Sequence, residues 1–320
     1  MQCKIPKSIF WYEHYIVQEG KLGMISIIGS GRVGSALAFL CASNTLDDIV
    51  LVNKTESEAI GEAMDISNAI PKNSSITISG TSDFSKIRNS EIVVITASSG
   101  TYLKSRTEMI GQQVKMLQEI SSEVVKFAPN SKVVVVSNPL DVLTYVFLRE
   151  SKFPKNKVLG VASSLDSSRF QLLLAEELKA NQSEIKDAIV LGEHGDSMVP
   201  VFSRAMCKDT PVEDLLSEEQ KKSITLKLIG YWKKLRDYKA RSVFGIAKNT
   251  YDVLESISKD KQISIPASVL LEGQYGISDV CIGIPVKISK NGVDGINEIK
   301  LSDFELDSLK KSAKIVKEYL

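Results

Sequence analysis

His194 is one of two histidines in the chain and stands in Gly192-Glu193-His194-Gly195-Asp196, between glycines that let a ligand come close. An imidazole ordinarily titrates near neutrality, which suits it to exchange a hydroxyl proton while a hydride leaves the adjacent carbon. Such a base needs a carboxylate to fix its tautomer and stabilise the imidazolium, and an acidic substrate needs a planar, two-pronged cation. Leu165-Asp166-Ser167-Ser168-Arg169 offers both. A separation of three places Asp166 and Arg169 on one side of a helical turn. A surface ion pair has the same spacing, and a single histidine after the strand-like Ala188 to Leu191 is as readily structural, so these residues alone leave both readings open.

A second constellation lies near the N-terminus, in Ile27-Ile28-Gly29-Ser30-Gly31-Arg32-Val33-Gly34. This G-x-G-x-x-G stretch follows an apolar strand and opens a helix, the context in which it binds a dinucleotide. Gly29 makes the tight turn and Gly31 lets the backbone of Ser30, Arg32 and Val33 approach a pyrophosphate at the helix N-terminus. Gly34 allows close helix–strand packing. The residue expected to meet the adenosine ribose, at the end of the next strand, is Asn53. Asn can bond a ribose hydroxyl without repelling a 2′-phosphate, and Lys54 beside it adds attraction, so NAD and NADP both remain open.

The elements that must position these groups alternate short β-branched runs with longer helical stretches, the pattern of βαβ units and a parallel sheet. Ile25 to Ile28, Ile49 to Val52, Ile92 to Thr96 and Val133 to Val136 are near-continuous apolar runs, as expected of strands covered on both faces. Helices are predicted at Val33 to Ala42, Ser57 to Ile70 and Thr107 to Phe127. The fold class is therefore α/β, a Rossmann-type doubly wound parallel sheet, followed by an α+β substrate domain. That second part holds an antiparallel pair, Ser264 to Leu271 and Val280 to Ile288, and a closing helix announced by the capping box Ser302-Asp303-Phe304-Glu305. The expected division is an N-terminal extension or docked arm over 1–23, a dinucleotide-binding domain over 24–160 and a catalytic domain over 161–320.

Composition excludes several classes. The 40 Lys plus Arg balance 39 Asp plus Glu, which argues against nucleic acid or an anionic membrane as partner. No apolar run approaches the roughly 18 residues of a membrane span, and Glu13, His14 and Glu19 stand where a secretory signal would be apolar. Cys3, Cys41, Cys207 and Cys281 lie far apart with no zinc-type spacing, so they read as reduced thiols in a cytoplasmic protein that binds no metal.

The glycine loop, Ser137-Asn138-Pro139, Leu165-Asp166-x-x-Arg169, Gly192-Glu-His-Gly-Asp196 and Glu272-Gly-Gln-Tyr-Gly276 occur in the order found in malate and lactate dehydrogenases. From about Met24 onward the chain resembles that family. The resemblance implies that His194 is the acid/base, that Asp166 orients it and that Arg169 binds the substrate C1 carboxylate. It further implies that Asn138 contacts substrate and nicotinamide, that Arg106 polarises the C2 oxygen from a loop, and that the protein is a homo-oligomer, dimer or tetramer. The substrate implied is a small 2-hydroxy or 2-oxo acid, malate/oxaloacetate first, with a lactate-like or bulkier acid or a catalytically silent sensor as alternatives.

The departures fall on specificity and cofactor positions. The loop Ala97-Ser-Ser-Gly-Thr-Tyr-Leu-Lys-Ser-Arg106 is one residue short of the family pattern. Its diagnostic arginine is replaced by Thr101 or Tyr102, with Lys104 the only other loop cation. Ser98 stands where a glycine is expected near the nicotinamide, and Gln113 where a cofactor-facing Asn is expected. Ser242 matches a residue that lines the substrate in the family. Arg241 before it is unexpected: it either supplies the lost positive charge or belongs to a solvated basic helix with Lys233, Lys234, Arg236 and Lys239.

Overall fold

The computed structural model describes residues 23–100 and 109–320. The extension expected over 1–23, apart from Gly23, therefore lies outside the described residues, as do Cys3, Thr101, Tyr102, Lys104 and Arg106.

Six parallel strands form the first half: β1 (Met24–Ile28), β2 (Asp48–Val52), β3 (Ile78–Thr81), β4 (Ile92–Ile95), β5 (Lys132–Val135) and β6 (Val158–Gly160). Their spatial order is β3-β2-β1-β4-β5-β6, which puts the reversal of strand order between β1 and β4. Alternate side chains of these strands enter two apolar layers. Ile25, Ile27, Leu51 and Val94 pack toward α1 (Arg32–Ser43) and α2 (Glu56–Ser67). Ile28, Val52, Val93 and Val135 pack toward α3 (Ile110–Phe127) and α4 (Leu140–Ser151). Burial of both faces is what made the strands read as unbroken apolar runs.

The second half opens with α5 (Ser163–Leu178). Beyond it come β7 (Ile185–Lys186), the hairpin β8 (Ile189–Leu191) and β9 (Val199–Val201), and then β10 (Met206–Cys207) and β11 (Thr210–Pro211). Helices α6 (Val212–Leu215), α7 (Glu218–Arg236) and α8 (Phe244–Ser258) follow, then β12 (Ile263–Glu272), β13 (Ser278–Ser289), β14 (Gly292–Ile296) and α9 (Asp303–Lys317). The antiparallel pair predicted from sequence is β12–β13, in register from Ile263↔Ile288 onward. These strands do not form a sheet of their own. β12 pairs with β6 through Ser268↔Gly160, so one nine-stranded sheet runs through both halves. The capping box of α9 is formed in both directions, Glu305 N to Ser302 Oγ at 3.3 Å and Ser302 N to Glu305 Oε2 at 2.9 Å.

Among the described residues Cys41, Cys207 and Cys281 are buried free thiols. No described helix is long and apolar enough to cross a membrane, and no described group of three His, Cys, Asp or Glu could hold a metal ion.

Candidate active site

The carboxyl ends of β1, β2, β4, β5 and β6 open onto one side of the sheet, at the switch point where this topology leaves a crevice for ligands. The loops leaving those strands carry Gly29, Asn53, Ser98, Asn138 and Ala162, and α5 begins at the last of them. A cavity of about 150 Å³ at this edge is lined by Ser98, Asn138, Arg169, His194, Arg236 and Arg241. Ser242 also lines it.

His194 follows β8, and the loop that holds it is tied to β13 by reciprocal main-chain bonds between Gly192 and Gly283, at 2.8 and 2.9 Å. Its ring Nδ1 lies 2.5 Å from Asp166 Oδ2, and the other carboxylate oxygen of Asp166 accepts from Arg169 Nη1 at 3.1 Å. All three side chains are buried. This is not the solvated pair that the i, i+3 spacing also allowed. With Nδ1 facing a carboxylate, the imidazole keeps its proton there and presents Nε2 as the reactive nitrogen. The guanidinium carbon of Arg169 lies 4.9 Å from the Tyr231 ring centroid, a stack that fixes the plane of the cation.

A second buried carboxylate supports the same loop from behind. Asp141, in the first turn of α4, accepts from the His194 main-chain N–H at 2.8 Å and from the Ser268 hydroxyl at 2.6 Å. Burial pushes its carboxyl up to about 7 against these two hydrogen bonds, which act the other way, while the charges of Glu193 and Asp166 raise it further.

The glycine loop forms the neighbouring cradle. Gly29 has φ +109°, and a Cβ there would lie 2.6 Å from Ala97 N, so only glycine makes this turn. A Cβ at Gly31 would meet nothing within 4 Å. It would instead fill the open space before the α1 N-terminus, where no described side chain caps the helix N–H groups. That space suits a phosphate, which helix N-termini favour. Ser30, Gly31, Arg32 and Glu58 line a second cavity there, and Val33 lines the first.

Several expected cofactor residues turn out to be bound to protein. Asn53 Nδ2 donates to Ser30 Oγ at 2.8 Å and to Glu58 Oε2 at 3.1 Å, so its amide joins the glycine loop to a carboxylate on α2. Lys54 is exposed and lines neither cavity. Gln113 is buried and braces the turn after β4, its Oε1 accepting from Ser99 N at 3.2 Å and its Nε2 donating to Ser98 Oγ at 3.3 Å. The Ser137 hydroxyl donates to the Ala97 carbonyl at 2.6 Å, locking the end of β5 to that of β4. Sequence reasoning missed Asp141, Glu58, Trp232 and Arg236. The last was read only as part of a basic run, and an α7 stripe of apolar residues ending in Arg236 was the signal that could have found it.

Models of the two lactate/malate dehydrogenase domains match successive parts of the chain, the NAD binding domain over residues 24–160 and the alpha/beta C-terminal domain over residues 163–320. The chain belongs to the lactate/malate dehydrogenase family. Among family members it is 34% identical over 308 residues to the malate dehydrogenase of Staphylococcus saprophyticus, covering 92% of this chain and 96% of that one. With the malate dehydrogenase of Archaeoglobus fulgidus it shares 38% over 304 residues, 92% and 98% of the two chains. The lactate dehydrogenase of Cryptosporidium parvum, solved with lactic acid and nicotinamide adenine dinucleotide, superposes with TM-score 0.89 at 32% identity, over 93% of this chain and 97% of that one. The malate dehydrogenase of the same organism gives TM-score 0.88 at 29% identity, over 93% and 98%. As a lactate/malate-type dehydrogenase the chain uses a nicotinamide cofactor, and the open cradle at Gly31 fits its pyrophosphate.

Proposed function

We propose that this chain oxidises and reduces a small 2-hydroxy/2-oxo acid pair, malate/oxaloacetate first, with NAD, and that the division into 24–160 and 161–320 separates cofactor binding from acid–base chemistry. The buried His194–Asp166–Arg169 group carries this reading, because it favours an active enzyme over a silent dinucleotide sensor. A bound dinucleotide would accept or donate the hydride at its nicotinamide, with the main chain of Gly29 to Val33 at its pyrophosphate, Asn53 at its adenosine ribose and Ser98 near the nicotinamide.

Arg169 receives the C1 carboxylate in a paired contact that lysine cannot copy. Asn138 orients the C2 oxygen within reach of His194. Nε2 of His194 takes the C2 hydroxyl proton in oxidation and returns it in reduction. Asp166 keeps the ring in the required tautomer and offsets the imidazolium charge. Preorganised charge of this kind acts most strongly in a site shielded from water. The family pattern gives Arg106 the developing negative charge on the C2 oxygen.

NAD is favoured over NADP by Glu58, whose carboxylate bonds Asn53 at 3.1 Å. A 2′-phosphate beside Asn53 would meet that negative charge, whereas a ribose hydroxyl would donate to it. A homo-oligomer is supported by Phe39, Ile60, Met64 and Phe244, large apolar side chains exposed on α1, α2 and α8. A cytoplasmic location agrees with the buried free thiols.

Steady-state rates on a panel of 2-oxo acids with NADH and NADPH test the reading. Turnover of oxaloacetate with NADH is expected; dinucleotide binding without turnover of any acid would refute it.

A further inference from the structure

With Arg169 assigned to C1, the far end of a dicarboxylic substrate still needs a cation to receive it. Tyr231, Trp232, Leu235 and Arg236 of α7 follow the i, i+1, i+4, i+5 spacing that keeps residues on one helix face. Tyr231 lies beneath the Arg169 guanidinium, while Trp232, Leu235 and Arg236 line the cavity that holds His194. Arg236 is half-buried, and its guanidinium carbon lies 5.3 Å from the Trp232 ring centroid. Stacking engages the face of a guanidinium, so a carboxylate that binds it approaches in the plane of its N–H groups.

Among the described residues, the other cations around α7 are placed differently. Lys233 and Lys234 are exposed and do not line the cavity. Lys239 sits over the Phe244 ring at 4.0 Å and lines the second cavity. Arg241 lines the first cavity, but it is exposed and lies past the end of the helix.

We propose that Arg236 is the specificity-determining residue of this dehydrogenase and receives the distal carboxylate of a dicarboxylic 2-oxo acid, a task given elsewhere in the family to a loop arginine that this chain lacks. The inference rests on the dehydrogenase reading above. Arg169 lies over Tyr231 and Arg236 over the next residue, Trp232, and both arginines line the cavity that holds His194. A short chain with a carboxylate at each end engages two such cations, whereas a monocarboxylate engages one.

The test compares kcat/KM for oxaloacetate and for pyruvate, with NADH, in the wild type, Arg236→Gln and Arg241→Gln. Removing one charge-assisted hydrogen bond to the distal carboxylate should lower the oxaloacetate-over-pyruvate ratio at least about tenfold in R236Q. NADH binding, followed by fluorescence, reports whether each variant is folded. Should R236Q prove insoluble, Arg236→Lys keeps the charge and loses the fork, and a smaller fall of the same ratio is expected. An unchanged ratio, an equal loss on both acids, or a ratio that falls in R241Q and holds in R236Q overturns the assignment to Arg236 while the dehydrogenase reading stands. A wild type that reduces neither acid, nor any other 2-oxo acid, sinks both.

Discussion

The main-chain N–H of His194 donates to Asp141 Oδ2 at 2.8 Å, so the residue with the reactive imidazole is held at its backbone by one buried carboxylate and at its ring by another. Asp141 binds a proton more tightly in the fold than in the unfolded chain, since its carboxyl is pushed up to about 7 from an ordinary 3.8. Its contribution to stability is therefore full below about pH 4 and is lost as pH rises through about 7, a swing on the order of 4 kcal/mol. Asn can keep both bonds, its oxygen accepting from His194 and its amide donating to the Ser268 oxygen. Urea unfolding of Asp141→Asn at pH 5 and pH 8 should show a smaller loss of stability between the two than the wild type; an equal loss would remove Asp141 as its source. Asp141→Ala should cost about 1 to 3 kcal/mol through the buried N–H it strands, and should lower kcat.

His194→Asn should abolish turnover and leave dinucleotide binding largely intact, because the imidazole and the glycine loop stand on different elements. Calorimetric titration with NADH beside an activity assay separates the two. Near-normal activity in this variant would take the proton transfer away from His194.

Arg169→Lys should raise KM steeply. An ammonium neither pairs with a carboxylate in the plane of a fork nor stacks on Tyr231 as a guanidinium does. Since Asp166 loses its partner at 3.1 Å, the pH profile of kcat should shift as well. A KM within twofold of wild type would exclude Arg169 as the C1 carboxylate ligand.

Glu58→Gln should move the NADPH-to-NADH ratio of kcat/KM toward NADPH by about tenfold, because it removes a negative charge from the position where a 2′-phosphate would sit. Lys54→Ala should leave that ratio nearly where it was. The reverse ordering of the two effects would restore Lys54 as the discriminating residue and reopen NADP.

Sequence made the sheet legible because strands buried on both faces cannot hide their composition: Ile25 to Ile28 and Ile92 to Ile95 admit few other readings. The glycine loop was readable for a local reason, since its chemistry lies in consecutive residues. Asp166 and Arg169 were found by spacing, yet only burial separated them from a surface pair. Asp141 escaped notice because its partners lie 53 and 127 positions away in the chain. Arg236 sits in a basic stretch that looks like any solvated helix face. Which side of α7 turns inward is set by its packing against α5, and composition does not carry that phase.

The join between β6 and β12 bears on how such an enzyme can be recombined. Because Ser268 pairs with Gly160 and its hydroxyl also reaches Asp141, the seam between the two halves runs through the scaffold beneath His194. A graft that brings residues 161–320 from a relative thus imports a new antiparallel neighbour for β6 and a new second anchor for Asp141. Residues 140–160 and 264–272 must travel together. Crossover points on the far side of α4 keep that lineage of contacts whole, and those at residue 160 divide it.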